Sequence, residues 1–530
     1  MTLSKTTFPL MALLALSPIW PSAPWAQEAG AETATALPEM ADIEQAWAQG
    51  NFVFARQGLK RRAEETGAAL AQYRYGRVLL EGRGGPTDRE AARLWLEKAA
   101  AQTHVEASVL LARIYLSAPE GDPVSQPARA ARLFKSAAAR GNSEAQYYLG
   151  LLYRSGVGVT AHPEEAFTWL LAASENGHIE AQFELSRAYA RGEGIAEDAK
   201  QALRWMQEAA DAGHGEAQFF LAYALDRGQG VEQNRRAAVD WLLRSAETGF
   251  GQAQLALGRK YLTGDGVAAR PAEAQRWLEA AAAQGSAAAA TVLGTALRGA
   301  HGVPADPALA VRWLKAASDA GVAEASFTLG QIREAGDAAA PDLQDAVVLY
   351  RLAVDQGSAV AEQHLGSLAA TGALDGLLAP HRAIPWVVAA AEAGNPAAAD
   401  WLSQQAAAGL RPAQTAFGLW LLTQEDRSGE ISVQAADQFQ AAAETGDVEA
   451  QHNLGRLYIQ GQGVDQDYVM AHKWFNIAAA GGHRDALKMR GVVADLMTPE
   501  QVAKAQTAAR GFVERPPAAL SEETSEGISQ

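Results

Sequence analysis

The chain has 530 residues, a net charge of −16, 48% hydrophobic residues and no cysteine. The acidic balance argues against nucleic acid as a general partner, because phosphate binding needs concentrated positive charge. Without cysteine there is no disulfide, no thiol chemistry and no thiol lipidation.

Residues 1–26 carry one charge, Lys5, then an apolar run from Phe8 to Leu16 and small residues around Ser22, Ala23 and Ala26. They read as a secretory signal peptide cleaved after Ala26, with Ala29-Gly30-Ala31 as a second choice. The run is shorter than the ~20 residues of a spanning helix, and Pro18, Pro21 and Pro24 break its end. The expected location is periplasmic or secreted, with no membrane span after cleavage. Residues 27–39 (QEAGAETATALPE) read as a linker. Residues 40–66, with Trp47 and Phe52-Val53-Phe54 around the Gln49-Gly50-Asn51 turn, are expected to form a capping hairpin.

A ladder then takes over. Ala145, Ala181, Ala217, Ala253, Ala289, Ala325 and Ala361 recur every 36 residues, each with glycine four before and leucine four after. Glycines at 158, 194, 230, 266 and 302 and tryptophans at 169, 205, 241, 277 and 313 keep the same phase. A closed domain needs no such period; a solenoid does, because each unit buries its apolar face on the next copy. Within one unit, Ala145, Leu149, Leu152 and Tyr153 stand at helical spacing, and Gly-x-Gly-Val follows with the positive φ of a C-cap turn. Ala166, Trp169, Ala172 and Ala173 mark a second helix, closed by Gly177. Each unit is expected to be a helix-turn-helix hairpin whose tryptophan fills the gap between helices. Off-register Trp401 and Trp420 are the candidates for surface roles.

The run A-Q-Y-Y-L-G-L-L-Y-R-S-G-V-G-V, followed by A-F-T-W-L-L-A-A-S-E-N-G, resembles the Sel-one-like repeat family, a relative of the tetratricopeptide repeats. Equivalents of the ladder alanine at Ala71, Ala107, Ala413, Ala450 and Ala486 bring the number of copies to twelve. The resemblance implies an all-α fold, an α/α solenoid of about twelve 36-residue helix-turn-helix repeats. It says little about chemistry, since function lives in sites grafted on folds. Secreted relatives serve in envelope signalling, exopolysaccharide export and host interaction. The β-lactamase-like activity described for some cysteine-rich members does not carry over to a chain without cysteine.

The main array is expected at 67–370, with a period of 38 between Ala107 and Ala145 absorbed by the loop from Ser117 to Pro127. After Ala361 the ladder breaks. Ala398 lies 37 residues on and Ala413 only 15 beyond it, which leaves one extra helix and makes 371–412 an irregular joint. A second array follows at 413–494. Thr498, Pro499 and Gln501 open a capping helix within 495–514, and residues 515–530 read as disordered.

The glycine-rich turns lack the Gly-Lys-Ser/Thr of a phosphate loop. His104, His178, His214 and His483 share one register, three before the ladder alanine, so neighbouring copies stand one layer apart. Layers are roughly 8–10 Å deep and zinc ligands about 2 Å from the ion, so these histidines read as polar turn residues. No Gly-x-Ser-x-Gly, Ser-x-x-Lys or His-Glu-x-x-His motif is present, and no catalytic residue, metal or cofactor is assigned.

Six residues after the ladder alanine stand Arg77, Arg113, Arg187, Tyr223 and Arg259, the candidate partner-binding row. Two after it stand Tyr73, Tyr147, Phe183, Phe219 and Phe327. Such a face can receive an acidic peptide or an acidic polysaccharide. Alternatively, the aromatics pack between adjacent first helices and the arginines pair locally. The functional expectation is a non-enzymatic periplasmic scaffold binding a protein partner to assemble or regulate an envelope system. The alternative is a glycan-binding module for peptidoglycan or acidic exopolysaccharide.

Overall fold

The computed structural model describes residues 37–119, 122, 124–424 and 429–515. The stretch expected to be a signal peptide, most of the expected linker and residues 516–530 lie outside them. The described elements are helices, numbered here α1 to α27, with one 3₁₀ turn at Ala300–Gly302 and no strand. The chain divides into two units, Met1–Ala269 and Arg270–Gln530. That division falls within a regular repeat, between its helices Gly251–Thr263 and Pro271–Ala283, and 371–412 lies inside the second unit.

The first unit opens with α1 (Met40–Ala48) and α2 (Phe52–Thr66). Hairpins follow: α3 (Ala69–Glu81) with α4 (Arg89–Ala101), α5 (Val105–Ser117) with α6 (Pro127–Ala138), and α7 (Ser143–Ser155) with α8 (Pro163–Glu175). Then come α9 (Ile179–Arg191) with α10 (Ala199–Asp211), α11 (Gly215–Arg227) with α12 (Arg235–Glu247), and α13 (Gly251–Thr263).

The second unit begins with α14 (Pro271–Ala283). Hairpins are α15 (Ala287–Ala296) with α16 (Pro307–Asp319), α17 (Ala323–Ala335) with α18 (Leu343–Asp355), and α19 (Ala359–Ala370) with α20 (Pro380–Glu392). After α21 (Pro396–Ala407) come α22 (Arg411–Thr423) with α23 (Gly429–Glu444), α24 (Val448–Gln460) with α25 (Tyr468–Ala480), α26 (Arg484–Ala494) and α27 (Pro499–Arg510).

Three recurring contacts hold the two helices of a hairpin together and join it to its neighbour. The first is a small residue five after the ladder alanine, which lets the second helix come close. A Cβ on Gly150 would meet Leu170 at 2.9 Å, one on Gly294 would meet Leu314 at 2.5 Å, and one on Gly330 would meet Tyr350 at 2.4 Å. The knob is therefore the residue after the tryptophan register, and Leu170, Leu278 and Leu314 are buried there. This corrects the expectation for the tryptophans: Trp205, Trp277 and Trp474 are buried, but Trp169, Trp241 and Trp313 are only half-buried. Arg244 and Arg312 lie over the rings of Trp241 and Trp313, at 4.6 and 5.6 Å.

The second contact comes from the buried glutamine of the Glu-Ala-Gln step. Gln146 Nε2 donates to the Ala138 carbonyl, Gln218 Nε2 to Ala210 and Gln451 Nε2 to Ala443, at 3.3, 2.9 and 3.1 Å. Each satisfies a carbonyl in the last turn of the preceding second helix, where intrahelical donors run out. The third is the second glycine of Gly-x-Gly. Gly158 has φ +73°, and a Cβ there would stand 2.3 Å from the Pro127 carbonyl of the preceding unit. Only glycine tolerates both the backbone sign and the approach.

The extra helix α21 combines the features of both helix types. It starts as a first helix does, after Gly394 at φ +89°, with the Asn395 side chain accepting from the Ala398 amide at 3.4 Å. It ends as a second helix does, its Ala406 carbonyl accepting from Gln414 Nε2 at 3.3 Å. Trp401 and Trp420 are half-buried and pack against the core of this unit, Trp420 stacking on Phe417 at 5.8 Å; the surface role expected of them is corrected. At the C-terminus Thr498 and Gln501 form a reciprocal capping box on α27, and Phe512 meets Trp474 edge-on at 5.5 Å.

Candidate functional site

The ladder places the arginine row and the aromatic row on the first helices, and in the first unit the two rows have different fates. The aromatics two after the alanine turn into the layer boundary. Tyr73 stacks on His104, Tyr147 on His178 and Phe183 on His214, with ring centroids 4.7, 4.5 and 4.5 Å apart. Each histidine is the N-cap of the next first helix, its Nδ1 accepting from the amide three residues on at 3.3, 3.3 and 3.1 Å. One side chain thus caps its own helix and receives the ring of the helix before it. Sequence reading found the histidine register without this pairing, although the constant separation of 31 residues from aromatic to histidine carries it.

Burial holds the imidazoles of His178 and His214 below the ordinary histidine range, against the opposing pull of nearby glutamates. They stay neutral at pH 7, which is the state that can accept the capping hydrogen bond.

The arginine row remains on the surface and its members differ. Arg77 pairs with Glu81 at 2.6 Å and edges a cleft of about 380 Å³ floored by Ile43, Leu59 and Val78. Arg113 reaches across one layer to Glu144 at 3.0 Å. Arg187 shares Glu184 with Arg154, its own contact being 3.1 Å. Burial raises the neighbouring Glu216 carboxyl above its usual range despite the opposing Arg187. Tyr223 is 42% exposed beside Phe220 at 40%, and Arg227 lies over the Tyr223 ring at 4.6 Å. Arg259 is exposed, with no ion-pair partner among the described residues.

The structure therefore ties Arg77, Arg113 and Arg187 to carboxylates and leaves Tyr223 and Arg259 available. Tyr223 stands on α11 with exposed Phe220 and with Arg227 over its ring, and Arg259 stands on the next first helix, α13. Such a surface can hold apolar and anionic side chains by contact and charge. Sequence reading missed Phe220 and Arg227, which lie outside the two rows that were followed. Among the described residues no group of three or more His, Asp or Glu is arranged to hold a metal, and no helix is long and apolar enough to cross a membrane.

Comparison with curated proteins finds no match. Among solved structures, c5321, a protective antigen of uropathogenic Escherichia coli with an SLR fold, is 27% identical with a TM-score of 0.57, over 89% of this chain and 99% of that one. A Sel1 repeat protein from Oxalobacter formigenes is 30% identical with a TM-score of 0.42, over 59% of this chain and 89% of that one. The Sel1 repeat model matches nine times, consecutively from 69 to 358 and again at 448–483. With more than half its length in these copies, on a fold of the protein-interaction scaffold type, the chain belongs to the Sel1 repeat family.

Proposed function

We propose that the chain is a non-enzymatic scaffold, exported to the periplasm, that binds a protein partner through the first-helix face of its first unit. Through that partner it would assemble or regulate a cell-envelope system. The carrying observation is the exposed pair Phe220 and Tyr223 with Arg227 over the tyrosine ring, and on the next first helix an exposed Arg259 without an ion-pair partner among the described residues. Large exposed aromatics next to free cations are costly unless something covers them, and such groups dominate protein interfaces. The sequence of residues 1–26 supports export.

A photo-reactive side chain at position 223 should crosslink a discrete periplasmic protein in living cells, and one at Lys200 on a second helix should not. Arg227→Glu with Arg259→Glu should weaken that complex by roughly tenfold, since each exposed charge contributes about 0.2–1 kcal/mol before repulsion is added. The loss should shrink at high salt. Equal crosslinking from both positions would remove the reading. Retention on peptidoglycan sacculi that depends on Arg259, with no crosslinked protein, would favour the glycan-binding alternative.

A further inference from the structure

The last repeat carries a second cationic cleft, in the second unit and apart from the face just described. His452 and Arg456 lie one turn apart on α24, at the registers two and six after the ladder alanine Ala450. Asp485, Lys488 and Met489 face them from α26, and the five side chains line a cleft of about 280 Å³.

The other repeats show what Arg456 lacks. In the first unit Arg187 finds Glu184 three residues earlier, and Arg113 finds Glu144 on the next first helix. The equivalent of Glu184 is Asn453, a neutral amide whose Oδ1 accepts from Arg456 Nη1 at 3.3 Å. The equivalent of Glu144 is Asp485, one methylene shorter and held by Lys488 at 2.9 Å. Glu449, the remaining carboxylate nearby, is engaged by His483 at 3.2 Å and by Asn453 at 3.0 Å. Arg456 is left with four unused N–H donors and no carboxylate among the described residues.

His452 is the second observation. It is only 8% exposed, clamped between the His483 ring at 4.2 Å and Phe475 at 5.5 Å. Its Nδ1 is sealed from solvent without a partner, and no described group bonds its Nε2. Burial, with His483 and Arg456 adding to it against Glu449 and Asp485, keeps the imidazole below the ordinary range. The neutral ring therefore has one N–H to give, and the nitrogen not sealed in the core is Nε2. A buried polar side chain without a partner is rare enough to require an explanation.

We infer that the cleft between α24 and α26 binds a carboxylate presented by an acidic segment of a protein, with Arg456 as the anchoring cation and His452 as a neutral donor at its floor. Among the five lining side chains two cations stand against one carboxylate, and Glu449 nearby is already engaged by His483 and Asn453. The Met489 thioether offers apolar contact to the methylene stem of a glutamate, which a hydroxylated sugar ring fits poorly.

The test uses the full-length chain with ¹³C-labelled histidine and hexaglutamate as the probe. Hexaglutamate should shift the His452 and His483 imidazole signals with saturation. Arg456→Gln should weaken this by about tenfold and Lys488→Gln by a smaller factor, with unchanged melting temperatures. Arg259→Gln, in the first unit, should leave it intact, so the result is separate from the crosslinking experiment at Tyr223. No shift at millimolar peptide, or wild-type binding by Arg456→Gln, would overturn the site. Polygalacturonate shifting the same signals where hexaglutamate does not would overturn the assignment to a peptide.

Discussion

One absent methyl group sets the spacing of the two helices in the hairpins that carry glycine five after the ladder alanine, while Ala112, Ser186 and Ala222 hold that position in three others. Gly330→Ala drives a Cβ to 2.4 Å from the Tyr350 ring and should cost about 1–3 kcal/mol, as overpacking does. Gly491 lies inside α26 with open space around its missing side chain. Gly491→Ala should therefore stabilise by about 0.5–1 kcal/mol, from helix propensity alone. Urea melts of the two variants should move in opposite directions. The histidine caps make a second residue-scale prediction. Because His178 and His214 are depressed in the folded state, the unfolded chain binds more protons between their folded values and about pH 6.5. Stability is thus present above pH 6.5 and is lost as pH falls below it. Asn caps equally well without titrating, so His178→Asn with His214→Asn should flatten the melting temperature between pH 7 and 5. An unchanged acid slope would mean the imidazoles are not what titrates.

At the scale of elements, the extra helix shows why half a unit can be inserted. A helix starting with an Asx cap and ending on a carbonyl held by the next glutamine meets the requirements of both neighbours, so α21 needs no partner of its own. The count of residues between Ala398 and Ala413 reveals the insertion, yet which side of each tryptophan is buried does not follow from spacing. Trp401 and Trp420 looked free only because they are out of register. The terminal helix tests capping directly. Thr498→Ala removes the acceptor for the Gln501 amide and should cost about 1 kcal/mol. Amide exchange should accelerate in α27 and leave α24 unchanged.

For the whole molecule, stability is a sum of hairpins and their nearest-neighbour interfaces. Leu170→Ala removes the knob between α7 and α8 and should cost about 2–5 kcal/mol locally. Calorimetry should then show an early transition split from the rest, with a probe in the second unit melting at its wild-type temperature. A single transition shifted as one block would show cooperativity reaching beyond neighbouring repeats.

What the sequence by itself determined is the repeat: its 36-residue period, two helices per unit, the glycine turns and the extra helix after Ala361. These follow from local rules of backbone sign, helical spacing and capping that hold residue by residue along the chain. What only the tertiary structure decided is which surface groups are left over. Arg77, Arg113, Arg187, Arg259 and Arg456 share one register and cannot be ranked from it. Whether a guanidinium is neutralised depends on a carboxylate a layer away, and on whether another cation has already taken it, as Lys488 takes Asp485. Periodicity fixes where a side chain starts, but its partners are set by distances between helices that are far apart in the sequence.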